Sequence, residues 1–441
     1  MPKTPENDLI TRDSGLPGLA AILDPSVMAA QLAEAGAEFD GQIDGQLDGQ
    51  LGAEAEKLEL QYLRYKPGTN CLAGYRLGTG PGARVFYAKA YAGGGAQAKL
   101  DKAEAKAEKR QGLRRIRIDR LGLVLFEFPD DAKLDALQKL AQPELRQRLL
   151  ARTLGDDSIG QSDELETLAY KPERRYVARL VRAGKGEPIV FKFYSPERYR
   201  AARKAHRALG SVPEEILLQR QCGGSKSYEM LAFGWLQGPT LREALDAGSP
   251  VNMESVGAAI ARLHAQTLPK LAQEGVPNTG DELGALAGTL GFLLPGLADS
   301  AEQLAKQIAG ARADAGEELG LLHGDLYDKQ IVLTESGAGL IDLDDACMGD
   351  PRRDLGLWIA HLERDRIMGR GLPAVDGLVG AFLEGYQAVR GRPLAGLAPF
   401  VAEGLFRLAH HPFRRQSPDW PERSAEILER TRALLAESAH P

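Results

Sequence analysis

Apolar residues recur at three- and four-residue spacings over 16–39 (Leu19, Ile22, Leu23, Val27, Met28, Leu32), which predicts a helix. Beyond about residue 240 the same period dominates. It predicts helices starting at Leu241–Asp246 and Val256–His264, and others over 299–317, 353–367, 374–389, 398–410 and 421–437. Between these regions lie short apolar runs of strand length: Arg84–Tyr91, Leu125–Pro129, Ile189–Tyr194 and Leu231–Leu236. A mixed amino-terminal half and a helical carboxy-terminal half therefore meet near residue 238, an α+β pattern with two lobes.

The mixed half repeats itself. Tyr65-Lys66-Pro67 returns as Tyr170-Lys171-Pro172, 105 residues on, and the strand lysines Lys89 and Lys192 are offset by 103. A charged helix follows each lysine, over Ala96–Arg110 and Ser195–Leu209. Leu134 then corresponds to Leu241 at an offset of 107. Three nearly equal offsets in one order imply duplication of a small sheet-plus-helix unit. A tandem Asp-Gly-Gln unit at 40–50 has the composition of a surface linker and lacks the ligands of a calcium loop.

At 441 residues the chain exceeds one ordinary domain, and 43% hydrophobic with 26% charged residues is normal for a globular protein. A net charge of −6 and no long basic run argue against a nucleic-acid partner. Cys71, Cys222 and Cys347 are too scattered for a disulfide framework or a zinc site. Residues 1–8 lack the apolar core of a secretory leader, and no stretch nears the ~18–20 apolar residues of a membrane span. The expectation is a cytoplasmic enzyme without a membrane partner.

The chemistry is concentrated in one block. Leu321-Leu322-His323-Gly324-Asp325-Leu326-Tyr327 leads through Gln330 to Leu340-Ile341-Asp342-Leu343-Asp344-Asp345, and Gly349-Asp350-Pro351-Arg352-Arg353-Asp354-Leu355 follows. Apolar flanks put Asp325 and Asp342 at strand ends, where carboxylates are costly unless paired or metal-bound. One hairpin between them brings both to the same mouth. One suits accepting a hydroxyl proton, the other holding a divalent cation. Asp350, before a proline, reads as a turn or cap residue, and Cys347 as a small packing residue.

This ordered set resembles the aminoglycoside phosphotransferase/choline kinase family of the protein-kinase-like superfamily. Leu236–Leu241 and Leu263-His264 resemble the family's hinge-exit and helix motifs, so the likeness spans roughly 165–410. It implies a two-lobed protein-kinase-like fold: a small antiparallel-sheet lobe over 146–237, a helical lobe over 238–441, and an extra cap at 1–145 resembling a duplicated small lobe. It also implies ATP and Mg²⁺ as cofactors and a small-molecule hydroxyl acceptor. Asp325 resembles the catalytic Asp, Asp342 the Mg²⁺ ligand, and Asp354 the Asp that accepts catalytic-loop amides. Asp344 either joins a second Mg²⁺ or is a solvated or loop-capping carboxylate, and His323 buttresses the loop. Gln330 replaces the usual Asn, as in maltokinase and some glucosamine kinases, which points the acceptor toward a sugar. Tyr327, Asp345, His361 and Glu363 are the substrate candidates.

Lys192, inside an apolar strand, resembles the lysine on the nucleotide α- and β-phosphates. The hinge Phe233-Gly234-Trp235-Leu236 would meet adenine. Two departures stand out. The helix after Lys192 is basic and lacks the expected Glu partner, whereas Lys89 is better spaced from Glu104 or Glu108, leaving open which lysine meets ATP. No glycine-rich loop is present either. At Pro172-Glu173-Arg174-Arg175 an arginine supplies charge instead, or the turn is merely solvated. A sugar kinase, an aminoglycoside-type antibiotic phosphotransferase and a regulatory pseudokinase all remain compatible with these residues.

Overall fold

The computed structural model describes residues 4–39, 58–80, 83–108, 115–156, 159–160, 163–182, 186–272, 279–314, 318–372 and 375–439. The Asp-Gly-Gln unit lies outside them. Two five-stranded antiparallel sheets occupy the first half. The first comprises β1 (Leu58–Lys66), β2 (Asn70–Leu77), β3 (Arg84–Tyr91), β4 (Arg115–Ile118) and β5 (Leu123–Glu127), ordered β1-β2-β3-β5-β4. The second comprises β6 (Glu164–Lys171), β7 (Arg175–Val181), β8 (Ile189–Tyr194), β9 (Gln221–Ser225) and β10 (Met230–Gly234), ordered β6-β7-β8-β10-β9.

The two sheets share register as well as order. Lys89 of β3 lies opposite Leu72 and Val124, and Lys192 of β8 lies opposite Val177 and Leu231. Strand alternation then gives each sheet two faces. In β8, Phe191 and Phe193 enter one core, while Val190, Lys192 and Tyr194 face the helix Pro196–Leu209. In β3, Phe86, Ala88 and Ala90 enter the cap core, while Tyr87 and Lys89 share the face packed on the helix Ala96–Glu108. The expected small-lobe-like cap is thus present.

Its packing limits differ from its expected limits. Leu134 and Leu137, expected within the cap, join Leu149 and Leu150 in the core of the second sheet. The cap core in turn takes in Leu293, Phe413 and Trp420 from the helical lobe. The helix expected over 16–39 is broken. Helices Leu19–Leu23 and Pro25–Phe39 meet at Asp24, whose Oδ1 caps the Ser26 amide at 2.9 Å, and Pro25 begins the second as a residue with no N–H to lose.

Helices Met253–His264, Thr279–Leu293, Ala298–Asp314, Arg352–Ile367, Val375–Arg390, Ala398–Leu408 and Trp420–Ala439 make up most of the helical lobe. Its core is one large apolar cluster around Trp358, Phe382 and Phe406. Two small antiparallel pairs sit at its edge: β11 (Gly320–Leu322) with β14 (Cys347–Gly349), and the hairpin of β12 (Ile331–Thr334) with β13 (Gly337–Leu340). Single bridges Leu218↔Leu340 and Thr240↔Val332 tie the chain around the hinge to this edge. Among the described residues no helix is long and apolar enough to cross a membrane.

Candidate active site

Asp325 follows β11, and Asp342 follows β13. The turn at Gly324 has φ +86°, and a Cβ there would stand 2.1 Å from the Asp345 carbonyl oxygen, so only glycine permits the approach. Asp354, at the start of the helix Arg352–Ile367, accepts the amides of His323 (2.6 Å) and Gly324 (3.1 Å). His264 braces Asp354 at 3.2 Å and reaches the Tyr386 hydroxyl at 3.0 Å. The His323 ring spans the loop, with Nε2 2.8 Å from the Ile341 carbonyl and Nδ1 accepting the Asp325 amide at 3.3 Å. His323 therefore joins the two carboxylate-bearing segments, with both ring nitrogens committed to the backbone.

Asp325 is open to water but stands inside a cleft of about 1200 Å³. Desolvation by the surrounding walls pushes its carboxyl above the usual range, with Asp345 and Asp342 adding to the rise and His323 and Lys171 opposing it.

Asp342 has a left-handed backbone (φ +62°). Its Oδ1 is 2.7 Å from Lys192 Nζ and 2.6 Å from Arg175 Nη1, and Arg175 Nη2 reaches Oδ2 at 3.0 Å. The Gln330 amide lies 3.4 Å from Oδ2. Asp344 is buried and surrounded by donors: Lys192 (3.0 Å), Tyr194 (3.1 Å), His206 (3.0 Å) and Arg175 (2.9 Å). Burial alone would raise both carboxyls. The charges of Lys192 and Arg175 overcome it and hold both below the usual range, Asp344 far below with help from His206.

The missing acidic helix residue is thereby explained. The helix Pro196–Leu209 presents His206 to Asp344, and Asp344 holds Lys192. Sequence reading overlooked His206 and Tyr194; the one signal for them was a lone His and a Tyr on the lysine's face in an otherwise basic or apolar stretch. Arg175 was foreseen only as a source of charge in the turn. Its actual position is across the acidic pair.

Lys89 does not have the acid partner its spacing suggested. Glu104 pairs with Arg117 at 2.6 Å, while Lys89 turns to Glu173 of the β6–β7 turn. At the hinge, Phe233 is fully buried, the Gly234 amide donates to Arg220, and its carbonyl accepts from Gln219. The available backbone groups therefore lie at Trp235 and Leu236.

Of the substrate candidates, Tyr327, Asp345 and His361 line the cleft, and the Tyr327 and His361 rings stack 4.8 Å apart. Glu363 does not line it. Its carboxylate is drawn to Arg366 (2.7 Å) and Arg430 (3.3 Å) on the far side of its helix. Asp350 caps Arg352 and pairs with it, and burial lifts the Cys347 thiol to about 11, too high for a nucleophile at neutral pH.

Among the described residues no three acidic, His or Cys side chains form a ready metal set. Two neighbouring carboxylates and an amide nevertheless suit Mg²⁺, which takes one or two protein carboxylates and completes its shell with phosphate and water.

A family model described as the phosphotransferase enzyme family matches residues 170–399. No curated protein matches the chain. Solved structures similar to it include a choline kinase from Streptococcus pneumoniae, at 14% identity and TM-score 0.47, covering 68% of this chain and 99% of that one. A macrolide 2'-phosphotransferase from Brachybacterium faecium is 19% identical with TM-score 0.45, covering 65% and 98%. A thermostable mutant of an aminoglycoside phosphotransferase is 15% identical with TM-score 0.48, covering 67% and 100%.

Proposed function

Since the chain belongs to the phosphotransferase enzyme family, we propose that it moves the γ-phosphate of ATP to a hydroxyl of a sugar-like acceptor, with Mg²⁺ as cofactor. The observation that carries this reading is convergence. Lys192 and Asp342 meet at 2.7 Å beside a cleft onto which Asp325 opens, with Asp325 braced by His323 and Asp354. Asp342 and Gln330 would hold Mg²⁺, whose charge, when bound, neutralises the triphosphate. Lys192 would steady the phosphates, and Trp235 and Leu236 would take the adenine edge. Asp325 orients the acceptor hydroxyl and receives its proton as the oxygen attacks. Positioning and charge neutralisation would provide most of the rate.

A pseudokinase would have no use for a braced, water-accessible Asp325. An aminoglycoside-type acceptor would bring several ammonium groups into a cleft lined by twelve lysines and arginines against eight aspartates and glutamates. A sugar-like acceptor avoids that repulsion, and Gln330 supports it through the maltokinase and glucosamine-kinase resemblance. The test is ADP formation with a panel of sugars, amino sugars and aminoglycosides. Acceptor-dependent ADP release lost in Asp325→Asn is the expected result. Equal release by the variant would remove Asp325 from the mechanism.

A further inference from the structure

The cation excess in the cleft is unevenly distributed. Near the catalytic loop, Arg242 is neutralised by Asp246 (2.8 Å) and Asp365 (2.7 Å), and Arg364 by Asp365 (2.6 Å). At another part of the lining, Arg407 is neutralised by Glu403 and Glu282. Lys171, Lys329, Arg353 and Arg370 line the cleft without a salt bridge among the described residues, and at the end facing the cap two uncompensated arginines converge on Tyr62. Arg174, from the β6–β7 turn, and Arg414, from the helical segment His411–Arg414, have no carboxylate within salt-bridge distance among the described residues, while Arg415 turns toward Arg364, Arg370 and Asp365.

The neighbours of Arg174 and Arg414 are neutral or cationic. Arg414 Nε reaches only the Leu63 carbonyl (3.3 Å), Nη1 lies 3.5 Å from His410, and the guanidinium stands 6.0 Å from the Tyr62 ring centre. The Tyr62 hydroxyl is buried against the Arg174 and Arg414 guanidiniums, with no hydrogen bond of good geometry to either. His411 touches Arg364 at 3.4 Å, and His361 stacks on Tyr327, two residues from Asp325. Burial, then neighbouring positive charge, keeps His361 and His411 neutral; burial also works against the charge on Arg414 and Arg415, which Tyr62 and Asp365 respectively offset in part. Holding like charges together in a half-buried cavity is unfavourable unless an anion completes the set.

We infer that the cap-facing end of the cleft binds an oxoanion group, phosphate or carboxylate, of the acceptor whose hydroxyl meets Asp325. Arg174 and Arg414 form the fork, with the Tyr62 hydroxyl and the His411 ring as neutral hydrogen-bonding partners. The acceptor is then an acidic sugar-like compound, a sugar phosphate or sugar acid, not a neutral or cationic one. Three parts of the chain build this site: β1 of the cap, the turn of the small lobe and the helical lobe. It therefore gives the cap a role in acceptor choice. The acceptor assignment rests on the phosphotransfer reading; the anion site itself does not.

Two measurements test it separately. In calorimetry, inorganic phosphate is titrated into the full chain saturated with Mg²⁺ and AMP-PNP, so that the triphosphate site is filled. Binding that weakens at least about tenfold in Arg414→Gln and Arg174→Gln, is partly restored in Arg414→Lys, and falls with added salt supports the site. Melting curves establish that each variant is folded. Absence of binding, or equal binding by the Gln variants, overturns it. In kinetics, sugars are compared with their phosphate, acid and amine derivatives. A kcat/KM at least about tenfold higher for the acidic members supports the acceptor class, and preference for neutral or amine members overturns it. If no acceptor yields ADP, the transfer reading fails and the calorimetry still decides the anion site.

Discussion

Lys89 Nζ stands 2.6 Å from Glu173 Oε2, joining the cap's strand lysine to the turn that leads into Arg175 of the second sheet. Arg64 reaches the same carboxylate at 3.3 Å, and the Glu173 amide donates to buried Asp131 at 2.9 Å. Glu173 is itself left-handed (φ +59°), a backbone state that persists only where the surroundings hold it. The lysine that in the second sheet meets Asp342 and Asp344 is used in the first to hold a loop. Two residues beyond Glu173 is Arg175, whose guanidinium covers the acidic pair. The cap therefore bears on the site through this turn.

Removing Lys89 leaves Glu173 with only the longer contact to Arg64, and removing Glu173 strips Lys89 of its carboxylate. Lys89→Met and Glu173→Gln are each expected to cost about 3 kcal/mol, and the double variant clearly less than their sum. Urea unfolding of the four proteins measures the coupling. The single variants should also raise KM for ATP more than they lower kcat, because the turn is loosened. Additive stability losses would show that the contact is incidental.

Asp325→Asn is expected to lower turnover by about 10²–10⁴-fold, the range for loss of a positioned general base, while Mg·ATP binding by calorimetry persists. Because the folded protein raises the Asp325 carboxyl above 3.8, the protonated form is favoured on folding. As pH rises through that carboxyl's titration, the charged form brings a stability cost that remains at neutral pH. Asp325→Asn should therefore melt higher at pH 7 while losing activity. The wild-type acid limb of kcat/KM should lie above 3.8 and be missing from the residual activity of the variant.

The architecture and the catalytic block were legible in the sequence because they rest on local pattern. Strand alternation put Lys192 on a buried face, and the spacing of Asp325, Asp342 and Asp354 follows from one hairpin and one helix start. Contacts between distant segments were not legible. His206 and Asp344 are 138 residues apart, Arg175 and Asp342 are 167 apart, and Lys89 meets an acid 84 residues away, not one on the helix that follows its strand. Glu363 misled for a related reason. It stands only two residues from Tyr327's partner His361, but that is about half a helical turn, so it faces the other way, where Arg430 of a later helix holds it.

His206→Ala is expected to destabilise by about 2 kcal/mol, the cost of removing a buried hydrogen bond to a charged group. It should also raise KM for ATP several-fold through Lys192, which Asp344 would hold less firmly. His206→Gln, which keeps a donor, should recover part of both. Asp344 sits below 3.8 in the folded protein, so its contribution is present above that value and lost as pH falls below it. Asp344→Asn should be less stable than wild type at pH 7, with the gap closing in acid. Urea unfolding across pH 2–7 measures this. A constant gap would separate Asp344 from the ion-pair network.

Arg175 and a divalent cation would compete for the same oxygens. With Arg175 bidentate on Asp342 and also on Asp344, cation binding must displace a guanidinium already in place. Arg175→Gln should therefore bind Mn²⁺ more tightly in the absence of nucleotide, by about tenfold if the lost repulsion is near 1.4 kcal/mol. Electron paramagnetic resonance of free Mn²⁺ reads this without turnover. The same variant should not gain activity in proportion, because an arginine displaced from Asp342 is well placed to meet the triphosphate. Its KM for ATP is expected to rise as its Mn²⁺ affinity rises. If Mn²⁺ affinity is unchanged or falls, Arg175 does not guard the acidic pair.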